Sequence, residues 1–117
     1  MHEHRTVSTL ERMERLHVLA LPVTGSRVRM GVGDRLDIQM RQMVGSGSEW
    51  TVVGLPDGVS LERDEHFQMG ARVGGAFSSR LFQFAALRET VGQIRLAIGV
   101  PGSLDLLGHV DVQVTVA

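Results

Sequence analysis

Arg35-Leu36-Asp37-Ile38-Gln39-Met40-Arg41 alternates polar and apolar residues at every step. Successive side chains leave a strand on opposite faces, so this period marks a strand with one side against a core and the other in water. Leu36, Ile38 and Met40 point inward, and Arg35, Asp37, Gln39 and Arg41 outward. Gly31-Val32-Gly33-Asp34 supplies turn residues before the strand. Met43-Val44-Gly45-Ser46-Gly47-Ser48 follows it as a small, uncharged, flexible stretch.

The same alternation extends in both directions. Leu19, Leu21 and Val23 form one set, Val28, Met30 and Val32 a second, Ile94, Leu96, Ile98 and Val100 a third, and Val110, Val112, Val114 and Val116 close the chain. Shorter candidates are Trp50 with Val52, Val59 with Leu61, and Phe82, Phe84 and Ala86, separated by turn signals such as Pro56-Asp57-Gly58. About seven or eight short strands with regular turns predict an all-β chain, an antiparallel β-sandwich. Residues 17–117 are expected to form that domain. Residues 1–16 break the pattern: Ser8-Thr9-Leu10-Glu11 has the form of a capping box and Glu11 with Arg15 is an i,i+4 pair, so a short helix or a frayed tail is expected there.

Composition removes several function classes. The 117 residues are 43% hydrophobic and 21% charged, an ordinary balance for a folded domain of the commonest size. Twelve basic residues against thirteen acidic ones leave a net charge of -1, which provides no overall attraction for nucleic acid or anionic lipid. All twelve basic residues are arginine, so Schiff-base chemistry and a phosphate-loop lysine are excluded. Without cysteine there is no disulfide, thiol nucleophile or thiolate metal site. No apolar run is long enough to span a bilayer and no secretion signal opens the chain, so a cytoplasmic protein is expected.

Three stretches are too loop-like for strands: Met43 to Ser48, Gln68 to Arg80, and Pro101 to Gly108. Connections alternate between the two ends of a sandwich, which allows these three to gather at one end. These loops, with Val32-Gly33-Asp34-Arg35-Leu36-Asp37-Ile38-Gln39-Met40, Trp50, Val73-Gly74-Gly75-Ala76, the Phe82 strand, Ile94-Arg95-Leu96 and Pro101, resemble the chagasin-type inhibitors of papain-like cysteine peptidases over roughly residues 26–117. The resemblance implies an immunoglobulin-like sandwich without a disulfide, whose three loops form a wedge that occludes the cleft of a papain-like cysteine peptidase. It places the partner-binding residues at Met43, Val44, Gly45, Ser46, Gly47 and Ser48, at Gly74, Gly75, Ala76 and Phe77, and at Pro101, Gly102 and Ser103.

Within the wedge, the family's first loop reads Asn-Pro-Thr-Thr-Gly before an aromatic residue. Here Gly47 and the downstream Trp50 match, Ser46 exchanges one hydroxyl for another, and the remaining positions depart. The third loop carries Arg-Pro and an aromatic in the family, where this chain has Val100, Pro101 and Gly102. In the middle loop the glycines fall on Gly74 and Gly75, or on Gly75 with Ala76. An absent interface aromatic worth roughly 2–4 kcal/mol corresponds to about 30- to 1,000-fold in affinity. The alternative is a structural or adaptor module on the same frame, able to self-associate into a homo-oligomer.

The remaining chemical candidates read as structural. Trp50 stands in step with Val52 and is expected to anchor the core. Gly74 and Gly75 lack the lysine and the following helix of a phosphate loop. His2-Glu3-His4 has no third fixed ligand, and no metal or other cofactor is expected. His66, His109, Asp57 and Asp105 lie beside turns with nothing pairing them in sequence, so no catalytic residues are expected and the chain reads as a non-enzyme. Phe77, Met43 and Val44 are either folded back on the core or offered to a partner.

Overall fold

The structure is a computed structural model that describes residues 15–43, 47–68 and 77–117. Eight strands run in chain order: β1 (Leu16–Ala20), β2 (Ser26–Met30), β3 (Arg35–Met43), β4 (Glu49–Gly54), β5 (Val59–Gln68), β6 (Phe77–Ala86), β7 (Thr90–Gly99) and β8 (Leu106–Val116). They form two four-stranded sheets, ordered β1-β3-β6-β5 and β2-β8-β7-β4. The expected all-β sandwich is thereby observed.

The core follows the alternation. Leu36, Ile38 and Met40 of β3 are buried, and β3 pairs antiparallel with β6 so that Leu36 lies opposite Phe84 and Ile38 opposite Phe82. In the facing sheet Ile94 lies opposite Val112 and Leu96 opposite Val110. Both phenylalanines are fully buried between the sheets, and full burial of one such ring is worth about 2–3 kcal/mol. Trp50 and Val52 of β4 pack against the edge of this core only partly buried, so Trp50 closes its rim rather than being enclosed by it.

Two of the strand pairs are parallel, a departure from a purely antiparallel sandwich: β1 with β3, and β2 with β8. The cause lies in residues 21–25. Leu21 takes a positive φ of 52°, and Gly25 one of 97°, so the chain turns from one sheet into the other instead of continuing as a strand. Leu21 and Val23, expected to extend the strand of Leu19, are exposed in this crossing. Val32 likewise lies beyond the end of β2, exposed in the turn.

That turn is tied by side-chain and backbone bonds together. Buried Asp34 accepts hydrogen bonds from the backbone N–H of Gly31 (2.9 Å) and of Arg15 (3.1 Å), and its Oδ2 lies 2.9 Å from His17 Nε2. Burial pushes the Asp34 carboxyl up, but the bonds from His17, Gly31 and Arg15 outweigh it and hold the group below the usual carboxylate range. Gly33 N–H donates to Ala86 O at 2.8 Å, and Ala86 N–H to Asp34 O at 2.9 Å. Nearby, Gly58 adopts a φ of +93°, and a Cβ there would stand 3.2 Å from Arg88 O. The chain therefore passes there as glycine.

Candidate protein-binding end of the sandwich

Strand directions fix which connections meet. β3, β5 and β7 run toward the end where β4, β6 and β8 begin, so the β3–β4, β5–β6 and β7–β8 connections all leave at that end. The register makes them neighbours. Met43 closes β3 opposite Phe77, the first residue of β6, and Glu49 opens β4 opposite Gly99, the last residue of β7. The first connection thus starts beside the second and returns beside the third, as expected from the sequence.

The predicted site residues divide along these connections. Val44, Gly45, Ser46, Gly74, Gly75 and Ala76 lie outside the described residues. Met43 and Phe77 are the end residues of β3 and β6, so the strands run further into both loops than the sequence suggested. Gly47 is exposed with a φ of +79°, and Ser48 is buried. Pro101, Gly102 and Ser103 are exposed at the tip of the β7–β8 hairpin. Ser103 N–H donates to Val100 O at 2.9 Å and Gly102 has a φ of +85°, which together with Pro101 describes a proline-glycine turn of type II form. Asp105 N–H donates to Ser103 Oγ at 3.1 Å and stiffens its descending arm.

The hairpin also carries apolar residues that the motif comparison passed over. Leu104 is 99% exposed, Leu107 69%, Leu106 59% and Val100 47%. Single exposed leucines are ordinary, but four exposed apolar side chains within eight residues concentrate apolar area at this tip. The signal was in the sequence as Leu104-Asp105-Leu106-Leu107. The sequence reads as a loop as far as Gly108, whereas β8 begins at Leu106.

Beneath the first and second connections lies a polar network spanning four strands. Gln42, buried on β3, takes the N–H of Trp50 on its Oε1 at 3.0 Å, and its backbone carbonyl accepts from Ser78 Oγ at 3.3 Å. Because Trp50 N–H can only donate, the Gln42 amide nitrogen faces His66 Nε2, 3.0 Å away. Arg80 Nη1 approaches the same His66 nitrogen at 3.2 Å, so that nitrogen serves as the acceptor. Arg80 also grips Asp64 in a bidentate pair at 2.5 and 3.0 Å. That hydrogen bond raises the Arg80 guanidinium above its ordinary value. Trp50 Nε1 donates to Arg41 O at 3.0 Å and clamps the start of β4 to the end of β3.

Three of the four groups weighed for acid-base chemistry have structural partners that the sequence does not show, and for Asp105 the backbone N–H bond to Ser103 is the contact described. His66 lies within β5 and serves the network just described. Asp57 pairs with Arg88 at 2.8 Å, and His109 on β8 lies 3.7 Å from Asp111. Among the described residues no group of three or more metal-ligating side chains is assembled, and His2-Glu3-His4 lies outside them.

No family model matches the sequence, and no curated protein matches it. Solved structures do. The cysteine protease inhibitor EhICP2 from Entamoeba histolytica superposes with a TM-score of 0.76 at 20% identity, over 91% of this chain and 98% of that one. Amebosin follows with a TM-score of 0.71 at 15% identity, over 88% of this chain and 99% of that one. PbICP-C, solved in complex with falcipain-2, gives 0.62 at 12% identity, over 90% and 92% of the respective chains. The fold is that of the chagasin-type inhibitors. On the chagasin-type frame Val100 and Gly102 flank Pro101 where the resemblance calls for an arginine and an aromatic, and the leucines of the same hairpin stand just beyond them.

Proposed function

We propose that this protein is a cysteine peptidase inhibitor that occludes the cleft of a papain-like peptidase with the end of the sandwich where the β3–β4, β5–β6 and β7–β8 connections meet. The carrying observation is the exposed apolar tip of the β7–β8 hairpin at that end, with Leu104 the most exposed of the large hydrophobic residues described. The similarity to EhICP2, a cysteine protease inhibitor, and to PbICP-C, bound to falcipain-2, supports the same reading. Mechanistically, occlusion needs no bond making. A wedge held by strand ends excludes substrate by volume, and its apolar tip gains affinity by leaving water. In this reading Leu104, with Val100 and Leu107 beside it, takes over the contact that an aromatic makes in the family's third loop.

Titration of the purified protein against a panel of papain-like cysteine peptidases tests the proposal. Reversible inhibition competitive with substrate is expected for at least one enzyme. Absence of inhibition across the panel, with the protein folded, would overturn it. The departures at Val44, Val100 and Gly102 favour a second reading, an adaptor module that kept the frame. Self-association or partner capture without inhibition would select it.

A further inference from the structure

Among the described residues both sheets end in open edges, and the four edge strands, β1, β5, β2 and β4, are not equivalent. β4 and β5 each carry a register break, between Val52 and Gly54 and between Leu61 and Arg63. Such bulges blunt an edge against further pairing. β1 and β2 have none, and of these two β2 alone carries charged residues within the strand; its five residues pair in continuous register with β8 and, among the described residues, leave the opposite side open. In a parallel ladder a residue's N–H and C=O point to the same side, and successive residues alternate. Met30 O accepts from Ala117 N–H at 2.9 Å, which turns Met30 and Val28 toward β8. Arg27 and Arg29 therefore turn their backbone groups to the open edge.

The same two residues carry the charge. Their side chains lie on the outer face of the sheet, where Arg27, Val28, Arg29, Gln113 and Thr115 line a shallow concavity. Arg27 stands opposite Gln113 and Arg29 opposite Thr115, both uncharged. Asp111 on the same face is occupied by Arg95, which holds both its oxygens at 2.7 and 3.0 Å. Among the described residues neither Arg27 nor Arg29 has an ion pair, whereas Arg63, Arg80, Arg88 and Arg95 each have one.

We propose that the open edge of β2 binds an extended acidic segment of a partner protein, added as an antiparallel strand with acidic side chains at alternate positions opposite Arg27 and Arg29. In antiparallel pairing the residues that exchange backbone hydrogen bonds stand directly opposite one another. The residues bonded to Arg27 and Arg29 would thus present their side chains to the two guanidiniums. Backbone bonds give affinity and the arginines select the sequence, as in strand addition to other sheet edges. β2 pairs with the far half of β8, from Val112 to Val116, away from the β7–β8 tip. This edge and the proposed peptidase contact can therefore be occupied together, and the proposal stands independently of that contact.

The test is fluorescence anisotropy of the full chain with a labelled synthetic peptide alternating glutamate and valine. Binding that weakens with added salt is expected, and Arg27→Glu combined with Arg29→Glu should weaken it about tenfold or more. Both side chains are exposed, and an unchanged circular dichroism spectrum confirms folding. The same double variant should gain binding to a lysine-valine peptide. N-methylation of the glutamate amides should abolish binding to the unaltered protein. No binding of the glutamate peptide, equal binding after N-methylation, or preference for an oligonucleotide over the peptide would overturn the proposal.

Discussion

The two ends of the sandwich solve opposite problems. At the end where β2 passes to β3 and β6 to β7, the connections are short and pinned by backbone: Gly33 to Ala86, Ala86 to Asp34, and Leu87 to Gly58 at 2.7 Å. At the other end the β7–β8 hairpin is stiffened within itself, by Ser103 to Val100 and by Asp105 to Ser103 Oγ. Its leucines face water. The first end commits backbone groups to pinning its turns, while the second adds to its polar network, in which Trp50 Nε1 donates to Arg41 O across the sheets, a hairpin tip with apolar area left in water. Under the proposed function the exposed leucines of the second end are the anchors offered to a partner, and the pinned turns of the first end serve stability.

Substitutions at the two ends should break this contrast in opposite ways. Asp34→Ala removes the acceptor of the Gly31 and Arg15 N–H groups in a part-buried turn. It should cost roughly 2–3 kcal/mol in denaturant unfolding while leaving any peptidase inhibition by the remaining folded protein unchanged. The pH profile sharpens the point. The folded carboxyl lies below its ordinary value of 3.8, so its contribution is complete above that pH and is lost as pH falls through the lower folded value. Unfolding curves of the parent and Asp34→Asn proteins should therefore converge on acidification, and a constant gap would contradict the assignment.

Next in size is Leu104→Ser at the opposite end. Its side chain is already in water, so the melting temperature should stay constant while inhibition weakens about tenfold, or about 1.4 kcal/mol. A stability loss without an affinity loss would invert the roles assigned to the two ends. Smallest is Gly102→Ala, which places a Cβ at a φ of +85° with open space around it. Only the backbone cost remains, about 1 kcal/mol, measurable as a slight destabilisation.

Much of the frame was legible because burial imposes a period of two wherever a sheet has one wet face, as in Leu36 to Met40 and Val110 to Val116. The crossing at Leu21 was not, since Leu19, Leu21 and Val23 keep the strand period while the backbone leaves the sheet. Parallel pairing of β1 and β2 was equally hidden, because alternation reports faces and not directions. The convergence of the three connections followed from counting strands, which reverse at each turn. The apolar tip escaped because Leu106 and Leu107 were assigned to a loop, and only the observed start of β8 places them on a protruding hairpin. Arg27 and Arg29 gave no signal of their own, since their interest depends on which side of β2 is left unpaired.

The pairing of β2 with β8 also has a consequence in time. Ser26 meets Val112, and within its sheet β2 has no other neighbour. Contacts so distant along the chain cannot form until nearly the whole sandwich has been synthesised, and folding dominated by such contacts falls in the range of milliseconds to seconds. On the ribosome β2 would wait with both of its edges bare until β8 emerges.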